Sequence, residues 1–82
     1  MEATTHCIIS ENLNRAKVYQ LVSVANRFDS NIIIELNTKR FNAKSLLSVG
    51  VLHGINGEIC FHATGNDSTI ALDELRKICL AN

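Results

Sequence analysis

The chain has 82 residues, 8 Lys and Arg against 8 Asp and Glu, and a formal net charge of zero. This length predicts one small domain over residues 1–82, and the balanced charge argues against direct nucleic-acid binding and against broad attraction to an anionic membrane surface. No apolar run approaches the ~20 residues of a membrane span. Met1 to Thr5 also lack the basic and apolar regions of a secretory signal, so a cytoplasmic protein is expected.

His6 to Ile9 is short and rich in β-branched residues, which predicts a first strand. Residues 10–14 break that pattern. Val18, Leu21, Val22, Ala25 and Phe28 then recur at helical spacing, with Asn14 as the N-cap. Asp29-Ser30-Asn31 ends this helix. Ile32, Ile34 and Leu36 alternate with Ile33 and Glu35 as a strand with one apolar face. A tight turn at Asn37-Thr38 leads into a short return strand, Lys39 to Asn42. Ala43 to Leu52 reads as a second helix, with Leu46, Leu47 and Val51 at helical spacing and Gly54 as its stop.

Asn56-Gly57 precedes a strand from Glu58 to Ala63 in which Ile59 and Phe61 share a face. After the turn residues Thr64-Gly65-Asn66-Asp67, Ala71, Leu72, Leu75, Ile78 and Cys79 define a last helix. Asp67 at its start and Arg76-Lys77 near its end match the helix dipole. The order β-α-β-β-α-β-α predicts an α+β fold, a four-stranded antiparallel sheet covered on one face by three helices. The expected core holds Leu21, Val22, Ile32, Ile34, Leu36, Ile59, Phe61, Leu75 and Ile78.

Cys7, Cys60 and Cys79 are odd in number and widely spaced, so three buried, inert thiols are expected. With His6, His53 and His62 they show none of the close ligand pairs of structural zinc sites, and neither metal nor cofactor is assigned.

Asn42-Ala43-Lys44-Ser45-Leu46-Leu47-Ser48-Val49 resembles the regulatory-serine motif of HPr, the phosphocarrier family of the bacterial sugar phosphotransferase system. Ala25 to Ile32 resembles that family's helix-to-strand junction, and Thr64 to Leu75 its last turn and helix. The resemblance implies the HPr-like open-faced two-layer sandwich. It also implies a histidine at the start of the first helix, within a His-Ala-Arg-Pro stretch, as phosphate acceptor. This chain has Asn14-Arg15-Ala16-Lys17 there. An amide nitrogen offers no usable lone pair, so Asn14 cannot form a phosphoramidate.

This departure is similar to the catabolite-repression HPr-like proteins of Gram-positive bacteria, which lack the histidine and keep the serine. The resemblance implies a non-enzymatic regulatory protein. It also implies that Ser45 is phosphorylated by the family's serine kinase/phosphorylase and that the phosphorylated form binds the catabolite control transcriptional regulator. Lys44, Leu46 and Leu47, with Lys39, Arg15 and Lys17, are the candidate partner-binding residues. One of the two adjacent leucines is expected to pack inward, since neighbours on a helix cannot both face the core. Gly50 stands where the family often has a larger residue. Two rival readings are a working phosphocarrier using another acceptor, with His53 the first suspect, and an unphosphorylated protein-binding paralogue. Exposed sheet edges would also allow a homodimer.

Overall fold

The computed structural model describes residues 2–9, 14–50 and 57–80. The element order is β1 (Glu2–Ile9), α1 (Arg15–Ala25), β2 (Asn31–Leu36), β3 (Lys39–Asn42), α2 (Leu46–Val49), β4 (Gly57–Thr64) and α3 (Ser68–Leu80). The strands form one sheet in the order β1-β4-β2-β3 with every neighbour antiparallel.

Alternation along the strands decides the two faces. Cys7, Ile32, Ile34, Ile59, Phe61 and Ala63 point inward and are buried. Against them lie Val18, Leu21 and Ala25 of α1 and Ala71, Leu72, Leu75 and Cys79 of α3. Leu36, Val22 and Ile78, expected in the core, pack against its rim and remain partly exposed. The opposite face of the sheet carries Thr4, His6, Glu35, Cys60 and His62.

Several sequence expectations need correction. β1 begins at Glu2 rather than His6, because the ladder to β4 runs from Glu2↔Thr64 to Ile9↔Gly57. Of its first four residues only Ala3 is apolar, so their pairing leaves no apolar alternation to read. Of the helix expected from Ala43 to Leu52, the described residues hold one turn, Leu46–Val49, which starts three residues later than expected. Two longer helices, of 11 and 13 residues, therefore supply most of the helical layer. Leu52 and the stop at Gly54 lie outside the described residues.

The cysteines also differ from expectation. β1 lies at a sheet edge and α3 packs on it, which brings Cys7 and Cys79 into a disulfide across 72 residues of chain, with Cα atoms 6.5 Å apart. Cys60 is free and half-buried on the opposite sheet face. Asp67 does stand before α3, and its carbonyl accepts from the Ala71 N–H at 3.0 Å. Its carboxylate, however, turns to the chain at Asp29 and Ser30.

Candidate functional site

The start of α1 is built as its sequence requires. Asn14 has extended backbone geometry, and its Oδ1 accepts the Lys17 N–H at 2.7 Å. That bond satisfies one of the orphan donors of a helix N-terminus. Asn14, Arg15 and Ala16 are exposed, and Lys17 is half-buried.

The segment leading into α2 is tied to the far end of α1. Asn26, the C-cap of α1, donates through Nδ2 to the carbonyls of Val22 at 2.8 Å and Lys44 at 3.0 Å. Lys44 Nζ returns a bond to the Phe28 carbonyl at 2.6 Å, and the Lys44 N–H donates to Asn42 Oδ1 at 3.0 Å. Lys44 thus holds the loop in place. Ser45 follows at the N-cap position of α2: its N–H donates to the Asn42 carbonyl at 3.1 Å and its carbonyl accepts from Val49 at 2.9 Å. Its side chain is half-buried.

The next two residues correct an expectation. Leu46 and Leu47 are both exposed, at 45% and 92%, and neither packs inward. Ala43 and Val49 take the buried positions on either side of them. The short turn meets α1, and Arg15, Val18, Tyr19, Leu46 and Gly50 line one shallow concavity between the two. Tyr19 is half-exposed there, a residue the sequence analysis passed over. The available signal was its position four residues after Arg15, beside rather than on the apolar stripe.

The structure therefore brings Arg15 and Leu46 together, with Ser45 and Leu47 adjoining them along α2. Lys39 sits apart, at the start of β3 opposite Leu36. His53 lies outside the described residues. The Ser48 side chain is likewise not described.

Residues 2–80 match the family model described as the PTS HPr component phosphorylation site. The chain belongs to the HPr family. Over 72 residues it is 35% identical to the phosphocarrier protein HPr of Treponema pallidum, covering 80% of this chain and 82% of that one. The crystal structure of HPr from Bacillus anthracis matches with a TM-score of 0.85 at 28% identity, covering 95% of this chain and 96% of that one. The Bacillus subtilis catabolite-repression protein Crh, described as a domain-swapped, intertwined dimer, matches with a TM-score of 0.69 at 29% identity, covering 84% and 80% of the two chains. The chain thus has the HPr fold and lies within the phosphocarrier family of the phosphotransferase system, with both carriers and a catabolite-repression protein among its structural neighbours.

Proposed function

We propose that this HPr-family chain is a cytoplasmic regulatory protein of carbon catabolite repression rather than an enzyme or an ordinary phosphocarrier. The observation that carries the reading is Asn14, which caps α1 through its amide oxygen. In the proposal Asn14 occupies the phosphohistidine position, where it can cap but cannot accept phosphate.

Ser45 is the modification site in this reading. Its phosphate adds roughly −1.5 to −2 charges at the edge of the Arg15–Tyr19–Leu46 concavity. The family's serine kinase/phosphorylase adds and removes it. The exposed Leu46 and Leu47, with Arg15 and Lys17, then dock the catabolite control regulator. Lys44 contributes by positioning Ser45, since its ammonium already donates to Phe28. Lys39 serves only as a charge at a distance. In a reducing cytoplasm the Cys7–Cys79 bond would open, leaving both thiols packed as small apolar groups. Self-association belongs to the reading as well: β1 offers an eight-residue outer edge for a second copy.

Two incubations test the proposal. With the serine kinase and ATP, intact mass should rise by one phosphate, and Ser45→Ala should abolish the gain. With phosphoenolpyruvate and the general enzyme of the phosphotransferase system, no acid-labile phosphate should form. Rapid acid-labile labelling would instead establish a carrier using another residue. No modification in either incubation would leave the unphosphorylated binding paralogue.

A further inference from the structure

The face of the sheet turned away from the helices carries a cluster that the HPr function does not use. In β4, Cys60 and His62 are two residues apart and therefore project on the same side. The ladders place His6 of β1 directly opposite Cys60 on one flank and Glu35 of β2 directly opposite it on the other. Three strands thus present His6, Cys60 and Glu35 in one cross-strand row, with His62 beside it. One ligand-type atom from each of Glu35, Cys60 and His62 lies within 4.8 Å of the others, and all three side chains are half-buried. His6 Nε2 is 3.9 Å from Cys60 Sγ.

We propose that Glu35, Cys60 and His62, completed by His6, bind a divalent transition-metal ion, with Zn²⁺ the best chemical match. The donor set is one thiolate, two imidazoles and one carboxylate, the mixture that borderline-soft Zn²⁺ takes in four-coordinate sites. Bonds of about 2.0–2.3 Å give tetrahedral edges of roughly 3.3–3.8 Å. The observed 2.7 Å between His62 Nε2 and Glu35 Oε1 and the 3.9 Å at His6 and Cys60 bracket that range. Outer contacts fit as well. His62 Nδ1 lies 3.2 Å from Thr4 Oγ1, the support that ligating histidines use to fix ring orientation.

In the tautomer that serves both neighbours, His62 donates Nε2–H to Glu35 and accepts at Nδ1 from the Thr4 hydroxyl. On binding, the ring changes tautomer, Nε2 gives its lone pair to the metal and Nδ1–H donates to Thr4. Cys60 releases one proton to the buffer as the metal–sulfur bond forms. The resulting thiolate and Glu35 together neutralise the dication. Burial and the carboxylates of Glu35 and Glu58 hold the Cys60 thiol above its ordinary pKa, against the opposing pull of Arg40. Arg40 stands opposite Glu35 across β2 and β3 and is exposed.

Titration of the metal-stripped full chain with Co²⁺ tests the site. The expected result is one Co²⁺ per chain, a thiolate-to-metal charge-transfer band, tetrahedral ligand-field bands and displacement by Zn²⁺. Cys60→Ser should remove the charge-transfer band. Thr4→Val should weaken binding roughly tenfold or more, and Glu35→Gln and His62→Gln at least as much. Arg40→Gln should retain or tighten it. Far-UV circular dichroism should be unchanged in each variant, since these side chains lie outside the helix-covered core. No binding, an octahedral spectrum without the thiolate band, or a band that survives Cys60→Ser would overturn the proposal.

Discussion

Asp67 receives the hydroxyl of Ser30 on the same carboxylate oxygen that accepts the Ser30 backbone N–H at 2.9 Å. Its other oxygen accepts the Asp29 N–H at 2.8 Å. One side chain thus fastens the exit of α1 to the entrance of α3. Ser30 is buried, so its hydroxyl and amide need these partners. The same bonds, that from the Ser30 hydroxyl foremost, hold the Asp67 carboxyl below its ordinary pKa.

A pH dependence follows, and its sign is fixed by that direction. A carboxylate whose folded pKa is depressed binds fewer protons in the folded than in the unfolded state. Its contribution to stability is present above the ordinary carboxylate pKa and lost as pH falls through the lower folded value. Asp67→Asn should therefore lower the urea midpoint at neutral pH. The gap to the unmodified protein should narrow below the usual carboxylate range. A gap independent of pH would contradict this account.

Gly65 lies in the same joint, with φ +150°, and a Cβ built there meets Ser30 Oγ at 2.5 Å and Ser30 Cα at 2.8 Å. The second of these is backbone and cannot swing aside. Gly65→Ala should cost roughly 1–3 kcal/mol, from strained backbone and forced separation of Ser30 from Asp67. Gly50 offers a control, because a Cβ there meets nothing within 4 Å. Gly50→Ala should leave chemical denaturation within about 0.5 kcal/mol of the parent.

Much of the scaffold was legible in the sequence. Ile32, Ile34 and Leu36 alternate clearly, and Val18, Leu21 and Ala25 mark α1, because burial on one face imposes those periods. What the sequence hid is of another kind. The pairings His6–Cys60–Glu35 and Cys7–Cys79 depend on which strands become neighbours, and spacing along one chain carries no such register. Asp67 looked like a dipole partner for α3 because its position suits that role, while its side chain answers to a loop 37 residues earlier. The candidate docking leucines are legible in the sequence, but their common exposure is not: Ala43 and Val49 take the buried positions on either side of them.

The thiols give a third prediction. Cys7 and Cys79 are bonded and buried, while Cys60 is free and half-buried. Unreduced protein should take up one alkylating group under native conditions, at Cys60, and three after reduction and unfolding. Alkylation should be slow, since only the thiolate attacks and burial with two nearby carboxylates disfavours it. Reducing the Cys7–Cys79 bond should lower stability by about 2–4 kcal/mol. Equal labelling of all three cysteines in the folded, unreduced chain would be incompatible with this arrangement.

The contrast between Leu47 and Leu75 separates fold from docking. Leu75 is fully buried beneath the sheet, and Leu47 is 92% exposed. Leu75→Ala removes packed atoms and leaves a cavity, so it should cost roughly 2–5 kcal/mol. Leu47→Ala removes little packing and should stay within about 0.5 kcal/mol of the parent. On the proposed regulator interface the order reverses. An exposed leucine beside a phosphorylated serine can serve as an apolar anchor, and truncation of such anchors costs about 1–2 kcal/mol or more of binding. Calorimetric titration of Ser45-phosphorylated protein into the regulator should therefore show Leu47→Ala weakened roughly five- to thirtyfold. The same protein should melt like its parent. Phosphorylated Ser45 should bind more tightly than Ser45, and Ser45→Asp should reproduce only part of the gain, having one charge and two oxygens in place of three. Unchanged affinity for Leu47→Ala would remove this patch from the interface, and equal affinity with and without the phosphate would remove Ser45 as its switch.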